Sequence, residues 1–388
     1  MERNDEQEKT VRDVERTLPI TISLCGDVMT GRGIDQVLPN ASDPQLHEPY
    51  VRDARHYLEM AEGTNGPIPR PVDDSYVWGY ALEQWNRISP DVRVVNLETA
   101  VTTSDDYWRA KDVHYRMHPK NVGCLKAAAI DCCSLANNHV LDWGYRGLAE
   151  TLETLQRAGL VTAGAGMNRT EAEVPAVFDV SGKGRVVVFS FGSQTSGIPA
   201  DWSASDERAG VNLLDDLSQS DIERIQRGVA RVKRENDVAI ASIHWGANWV
   251  YEVPEAQIGF AHRLIDSAGI DLVYGHSSHH VQGIEVYRDR LIIYGCGDFL
   301  DDYEGISGFE EFRQDLGAIY FADVEPRSGR LIRLRITPTQ VRRMRIMRPQ
   351  LEDMLWLRDA FNRRSEGFGV WLESADDQML VLQAAAII

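Results

Sequence analysis

Side chains that can hold divalent metal ions recur in this sequence where apolar runs end. The runs and the polar residues after them read SLCGDVMTGR at 23–32, VVNLETAVT at 94–102, SLANNHVLDWG at 134–144, ASIHWG at 241–246 and LVYGHSSHH at 272–280. Open α/β sheets bind their ligands beyond the carboxyl ends of the strands. Carboxylates, amides and imidazoles delivered to one such edge therefore indicate a metalloenzyme.

Six of these residues form a mixed nitrogen and oxygen ligand set. They are Asp27, Glu98, Asn138, His244, His276 and His279. Six ligands exceed the four of a tetrahedral zinc site and suit two metal ions that share a bridging carboxylate. Taken singly, Asp27 is more typical of a helix cap than of a metal ligand. Glu98 is equally a candidate ion-pair partner of Arg32 or Arg93.

His139, next to Asn138, is the predicted proton donor. Asp142 is expected either to orient the ring of His139 through its other nitrogen or to cap the helix that begins after it. His280 is either a neighbour of the metal set without a role or a further acid–base group. The residues expected to contact substrate are Arg32, Asn96 and Trp245. Asp298 is expected behind the ligands, and Asp301 and Asp302 as solvated loop charges.

These side chains need an alternating series of strands and helices to position them. Apolar runs predict strands at 20–26, 93–98, 131–137, 186–193, 237–246, 272–276, 290–298 and 318–325. Helical spacing predicts helices at 76–88, 120–130, 144–160, 218–236, 254–269 and 350–363. This alternation is typical of an α/β protein with mixed sheets and helices outside them. We predict a tail at 1–19, one domain at 20–340 with an insertion at about 36–90, and a helical extension at 341–388 that packs on the same domain.

Composition narrows the function. The 388 residues carry a formal charge of −18, which argues against binding to nucleic acid because the phosphate backbone would be repelled. The sequence contains no apolar run of membrane-spanning length and no apolar signal core near its start, so we expect no membrane insertion and a cytoplasmic location. The five cysteines form no CxxC pair, and a structural zinc site on cysteine is not expected.

The order of these motifs resembles the CapA family, which is linked to poly-γ-glutamate capsule synthesis. The residues that carry the resemblance are GD-x-M-x-GR, NLE, LANNH-x-x-D-x-G-x-x-GL, HWG, GH-x-x-H and a final GDF, within about 20–300. The resemblance implies a four-layer α/β/β/α sandwich of the calcineurin-like metallophosphoesterase type. It also implies that the six-residue set holds the metals and that His139 protonates a leaving group. Met29 stands where that fold usually has a histidine, and Ser277 where CapA-like sequences have another, which predicts a weaker first metal site.

Three functions follow from the resemblance and the ligand set. The first is a metal-dependent hydrolase that acts on a phosphate ester or on a γ-glutamyl or peptide bond. The second is a metal-dependent epimerase of a ribosomally made, lasso-type peptide, in which His139 and His279 or His280 exchange an α-proton. The third is a non-catalytic subunit of a polymer-synthesis complex. The expected cofactor is one or two divalent ions, with Mn, Zn, Fe and Ca all open. The expected partner is a peptide, polyglutamate or a small phosphorylated compound, and an oligomer is open.

Overall fold

The computed structural model describes residues 18–375 and 378–384. The predicted tail at 1–19 falls almost entirely outside these residues. The α-helices are α1 (Arg32–Val37), α2 (Arg55–Asn65), α3 (Tyr80–Ile88), α4 (Gly123–Ala127), α5 (Gly144–Arg157), α6 (Arg169–Ala172), α7 (Gln219–Val232), α8 (Glu255–Asp266) and α9 (Leu351–Ser365). The strands are β1 (Ile20–Val28), β2 (Val92–Leu97), β3 (Ala100–Val101), β4 (Arg116–Met117), β5 (Cys132–Ser134), β6 (Val161–Ala163), β7 (Ala165–Gly166), β8 (Ala176–Val180), β9 (Gly184–Ser193), β10 (Gly210–Val211), β11 (Leu213–Leu214), β12 (Asp237–His244), β13 (Leu272–His276), β14 (Ile284–Tyr287), β15 (Arg290–Ile293), β16 (Asp298–Leu300), β17 (Leu316–Val324), β18 (Leu331–Val341), β19 (Ile346–Met347), β20 (Val370–Ser374) and β21 (Leu380–Ala384).

Two large mixed sheets make up the centre of the fold. The first has the order β20-β21-β18-β17-β1-β2-β5-β6, and β16 pairs with β1. Strands β1, β2, β5 and β6 are parallel, whereas β17 runs antiparallel to β1 and β18 runs antiparallel to β17. The second has the order β11-β9-β12-β13-β15-β14, with β9, β12, β13 and β15 parallel. Both sheets therefore have parallel centres whose carboxyl ends can meet at one edge.

The hydrophobic core fixes how the sheets face each other. Ile22 and Val94 of the first sheet pack in one buried cluster with Val188 and Ile240 of the second, so this cluster lies between the sheets. The outer face of the first sheet is covered by α5, which buries Leu148 and Leu155. Helices α7 and α8 cover the outer face of the second sheet. The predicted four-layer α/β/β/α architecture is confirmed.

The chain differs from the sequence prediction at several elements. The segment 341–388, predicted as a helical extension, contains α9 but also the hairpin of β20 and β21, which extends the first sheet beside β18. The predicted strand 290–298 is divided into β15 and β16, with Gly297 at φ 77° just before β16. The segment 36–90 carries α2 and α3. Within the residues that the structure describes, no helix is long and apolar enough to span a membrane.

Candidate metal centre

Five strands from the two sheets bring the predicted ligands to one place. Asp27 ends β1, and Glu98 directly follows β2, its parallel neighbour. His244 and His276 end β12 and β13 and stand directly opposite each other in the parallel ladder. Asn138 and His139 follow β5. The parallel register therefore positions side chains that are far apart in the sequence.

Two buried carboxylates lie at the centre of this cluster. Asp27 and Glu98 are 0% and 1% exposed. The Asn96 side-chain amide donates to Asp27 Oδ1 at 2.7 Å and to Glu98 Oε2 at 3.3 Å. Asn96 Oδ1 in turn accepts from Asn137 Nδ2 at 3.1 Å. Both ends of the Asn96 side chain are thus hydrogen-bonded to other residues of the cluster, and its contact with substrate stays a prediction.

The imidazoles of His244 and His276 complete one side of the cluster. Their Nδ1 atoms are 2.9 Å apart, and His244 Nε2 is 3.0 Å from Asn138 Oδ1. Burial lowers the pKa of His276 to about 3 and holds the pKa of His244 well below its usual range. Both rings are therefore neutral near pH 7, which is the form that ligates metals.

His279 and Asp298 form the other side. His279 Nδ1 is 2.9 Å from Asp298 Oδ1, and both residues lie close to Asp27. Asp298 was expected behind the ligands, but β16 pairs in register with β1, so that Asp298 stands beside Asp27. Asp298 is 2% exposed, and its Oδ2 has no hydrogen-bond partner among the described residues. The sequence does not indicate that this residue lies beside Asp27, because the pairing joins segments 271 positions apart.

The donor set fits divalent metal ions. Ligand atoms of Asp27, His244 and His276 lie within 4.8 Å of one another, and so do those of Asp27, His279 and Asp298. Burial and the neighbouring Asp298 charge raise the pKa of Asp27 to about 7, and burial raises the pKa of Glu98. Buried carboxylates that repel one another in this way are stabilised by a cation. Asp27, and not Glu98, is the carboxylate common to both groups.

A histidine, an aspartate and a lysine lie next to the ligands. His139 Nδ1 is 2.6 Å from Asp142 Oδ2, which also accepts from Tyr115 N at 2.7 Å. Lys111 Nζ donates to Asp142 Oδ1 at 2.5 Å and to the Asn138 carbonyl. Asp142 therefore orients His139, and α5 has no side-chain cap at its N-terminus. Sequence reasoning missed Lys111, since nothing in the polar segment around it distinguishes it.

His139 offers its second nitrogen to the cluster. Nε2 lies 3.7 Å from Glu98 Oε1, which is equally far from His244 Nε2. Burial, followed by the charge of Lys111, keeps the pKa of His139 well below its usual range. With Nδ1 held by Asp142, Nε2 is the ring nitrogen that faces the cluster.

Two other predicted site residues, Trp245 and Arg32, have their polar atoms bound to protein partners. Trp245 is 2% exposed, donates from Nε1 to the Tyr294 carbonyl and packs in the core of the second sheet. The guanidinium of Arg32 is buried between Asp302 and Glu48. Asp301 and Asp302 are buried, not solvated as predicted.

His280 also lies outside the ligand cluster. Its ring packs against Tyr251 and Phe312 at centroid distances of 4.7 and 4.8 Å. Its Nδ1 contacts the Val281 carbonyl at 3.2 Å, and its Nε2 has no hydrogen-bond partner among the described residues. The predicted acid–base role of His280 therefore lacks the necessary contact with the cluster.

Half-buried aromatic rings border the cluster beside His279. Trp249 lies 4.9 Å from the His279 ring and stacks on Phe309 at 4.2 Å. Tyr303, 5.4 Å from the His279 ring, donates to Met29 Sδ at 3.7 Å. The position where a second histidine was expected is thus part of a buried thioether and tyrosine contact.

Comparisons with known proteins agree with the motif order. A family model described as bacterial capsule synthesis protein, PGA_cap, matches residues 21–303. A probable polyglutamine synthesis accessory protein of Mycobacterium tuberculosis is 46% identical over 368 residues, which are 95% of this chain and 97% of that protein. The capsule biosynthesis protein CapA of Bacillus anthracis is 25% identical over 285 residues, 73% of this chain and 60% of that protein. Among solved structures, a phosphatase from Mycoplasma pneumoniae aligns with a TM-score of 0.44 and 11% identity, over 82% of this chain and 93% of that one. The predicted resemblance is confirmed, and the chain belongs to the PGA_cap family of bacterial capsule synthesis proteins.

Proposed function

We propose that this protein is a metal-dependent hydrolase that cleaves an amide bond, peptide or γ-glutamyl, in a substrate of polyglutamate or polyglutamine synthesis. One observation carries the proposal. Carboxylates and imidazoles from both sheets converge in a buried cluster, and an oriented histidine, His139, stands directly beside it. A structural metal site would have no need of a proton-transfer group held in this way.

In this proposal, one set of residues binds the metal and another transfers a proton. Divalent ions held by Asp27, Glu98, Asn138, His244, His276 and His279 would supply an activated water and polarise the scissile carbonyl. Asp142 fixes the Nδ1 side of His139, so that Nε2 would take up a proton from the attacking water and pass it to the nitrogen of the leaving amine as the C–N bond breaks. Lys111 compensates the buried charge of Asp142 and holds the Asn138 carbonyl, which keeps Asn138 and His139 in place.

Charge favours an amide substrate over a phosphate ester. Among the described residues, two cationic side chains near the cluster are already in ion pairs: Lys111 with Asp142, and Arg32 with Asp302 and Glu48. A cavity of about 470 Å³ borders Tyr303 and the buried Asp301. Its acidic side chains outnumber its basic ones, and Arg313 in its wall is paired with Asp315 and Asp353. These surroundings favour an uncharged amide chain, such as a glutamine peptide, over a dianionic phosphate and also over the free carboxylates of a γ-glutamyl chain. The names of the relatives, which refer to polyglutamine and capsule synthesis, support the same polymer class.

The test compares amide and phosphate substrates in the presence of defined metals. The full chain, loaded with Mn²⁺ or Zn²⁺, is incubated with γ-glutamyl oligomers, α-linked glutamine peptides and p-nitrophenyl phosphate, and new amines and free phosphate are measured. We expect metal-dependent release of amines, which Glu98→Gln and His244→Ala abolish while they lower the metal content. His262→Gln is the matched control, because His262 contacts Glu285 and Tyr287 outside the cluster.

Other outcomes identify the competing functions. Release of phosphate without amide cleavage would assign a phosphoesterase. Deuterium uptake at one α-carbon of an intact peptide in heavy water would assign an epimerase. Full metal content without turnover of any of these substrates would favour a non-catalytic accessory subunit. Wild-type metal content in both Glu98→Gln and His244→Ala would remove the basis for all the metal-dependent functions.

A further inference from the structure

The two halves of the candidate metal centre differ in ligand chemistry. We infer that Asp298 is a direct metal ligand that takes over from the histidine absent at Met29, and that the half formed by Asp27, His279 and Asp298 selects a harder divalent cation than the half with His244 and His276. The inference rests on the proposed metal centre and adds to it a ligand and an order of metal preference.

Close backbone pairing places Asp298 beside Asp27. Strands β1 and β16 are parallel, with Asp27 opposite Asp298, and Asp27 N donates to the Gly297 carbonyl at 3.0 Å. A side chain at Gly26 is impossible, because its Cβ would lie 1.9 Å from that carbonyl oxygen. Two Gly-Asp pairs therefore lie against each other, and each directs its carboxylate into the cluster.

One carboxylate oxygen of Asp298 accepts no hydrogen bond from the described residues. His279 approaches Oδ1, whereas Oδ2 is buried without a hydrogen-bond partner among the described residues. Orienting His279 requires only one oxygen, so that role leaves a buried carboxylate oxygen without an explanation. A cation between Asp27 and Asp298 would satisfy this oxygen and offset the repulsion between the two carboxylates.

Met29 does not supply the absent ligand. It is fully buried, and its sulfur accepts the hydroxyl of Tyr303, which also accepts from Tyr115 at 2.9 Å. A thioether is in any case a soft ligand that suits Cu(I) and not a hard divalent ion. The carboxylate of Asp298 is the remaining donor on this side of Asp27.

The replacement of an imidazole by a carboxylate changes the metal preference. One half has two carboxylates and one imidazole, Asp27, Asp298 and His279, whereas the other combines two imidazoles with the shared Asp27. Carboxylate oxygens suit Mg²⁺ and Mn²⁺, and imidazoles suit Zn²⁺ and Fe²⁺. The ratio of Zn²⁺ affinity to Mn²⁺ affinity should therefore be smaller in the half that contains Asp298.

The experiment measures metal retention and not turnover. The full chain is stripped with a chelator and titrated with Mn²⁺, and bound ion is followed by the loss of the free Mn²⁺ signal in electron paramagnetic resonance. One equivalent of Zn²⁺ is then added. In the wild type we expect Zn²⁺ to displace Mn²⁺ only from the histidine-rich half, so that Mn²⁺ remains in the other. Asp298→Asn keeps the size and the acceptor for His279 but should weaken the retained Mn²⁺ by about tenfold or more.

Two further variants make the result decisive. His244→Ala should lose the Zn²⁺-preferring event and keep the Mn²⁺ event. Asp301→Asn removes another buried carboxylate three residues away and should leave Mn²⁺ binding nearly unchanged. Wild-type Mn²⁺ retention in Asp298→Asn would overturn the inference. An equal loss in Asp301→Asn would overturn it as well, because Asp301 Oδ2 is also buried without a hydrogen-bond partner among the described residues and the effect would not be specific to Asp298.

Folding gives an independent check. If Asp298 serves metal binding, the metal-free Asp298→Asn protein should unfold at the same temperature as the wild type or higher, since a repelled buried charge is gone. A clearly lower metal-free Tm would instead make Asp298 a structural partner of His279 and overturn the inference. Wild-type metal binding without hydrolysis would contradict only the proposed function, whereas hydrolysis with full Mn²⁺ affinity in Asp298→Asn would contradict only this inference.

Discussion

Replacing Arg32 by methionine should destabilise the fold instead of weakening substrate binding alone. The Arg32 side chain is 3% exposed and donates from Nε and NH2 to Asp302 at 3.1 and 2.5 Å and from NH1 to Glu48 at 3.0 Å. It also lies over the rings of Tyr57 and Tyr115 at 3.8 and 4.4 Å. Among the described residues, the Arg32 guanidinium is therefore the only positive charge that forms an ion pair with these two buried carboxylates.

The expected magnitude follows from what the variant leaves behind. In Arg32→Met, Asp302 keeps only the Gly33 amide among these contacts, and Glu48 keeps only the Tyr57 hydroxyl. Removal of one partner from a buried ion pair costs about 3–5 kcal/mol, a large part of the stability of an ordinary domain. The positive φ of 47° at Arg32 is unchanged by a substitution to another non-glycine residue, so backbone strain cancels in the comparison.

Urea unfolding at about pH 7.5, with the metal removed, measures this cost. The matched variant Arg32→Met with Asp302→Asn should recover part of the loss, because one stranded charge is removed with the arginine. If Arg32 binds substrate as the sequence suggested, Arg32→Met would raise KM and leave the free energy of unfolding nearly unchanged. A loss below about 1 kcal/mol, the range of exposed ion pairs, would refute the burial argument.

Three further predictions concern the candidate site and its surroundings. In Asp142→Asn, the amide nitrogen must face one of the donors from Lys111, His139 and Tyr115, so His139 is no longer held in place. Turnover of the substrate identified above should fall about 10²–10⁴-fold while metal content is retained. Wild-type turnover would contradict the role of Asp142 in orienting His139. Burial lowers the pKa of His280 to about 4, so the unfolded chain takes up a proton first as the pH falls from about 6.5 and stability is lost toward pH 4. In urea unfolding, the free energy of unfolding of His280→Phe should therefore fall by about 2 kcal/mol less than that of the wild type between pH 7 and pH 5, and the variant should keep its metal. An equal fall in both proteins would contradict the burial of this ring. The pKa of Asp27 is raised to about 7, so between about pH 4 and pH 7 Asp27 holds a proton in the metal-free folded state that it has lost in the unfolded state. Metal binding must release this proton, and calorimetry should therefore show that metal affinity falls by up to about tenfold per pH unit below pH 7. A metal affinity that does not depend on pH would refute this prediction.

The sequence predicted the parts of the site that depend on local patterns. Asp27, Glu98, His244 and His276 lie at the ends of apolar runs, and the alternation of these runs with helices indicates strands whose ends meet at one edge of a sheet. Burial and neighbours then decided the roles that local patterns left open. Trp245 and Arg32 stand in the same motifs as true cluster residues, and only the packed structure shows that their polar atoms are already occupied.

Lys111 was missed for a different physical reason. It lies in a segment without regular periodicity between β3 and β4, and 31 residues separate it from Asp142. A lysine in a polar segment is usually solvated, and its charge alone does not distinguish the exception. Only the fold of the intervening chain brings its ammonium group to Asp142 and to the Asn138 carbonyl.

Asp298, in contrast, left a signal that could have been used. The dipeptide Gly-Asp occurs at the end of β1 and again at the start of β16, as Gly26-Asp27 and Gly297-Asp298. A glycine before a carboxylate at a strand end indicates that another backbone approaches closely there, and two such glycines are candidates to lie in segments that approach each other. The close pairing of Gly26 and Gly297 brings the two aspartates together. Since adjacent buried carboxylates are costly without a cation, this repeated dipeptide indicates an oxygen-rich metal position even where the expected histidine is replaced by Met29.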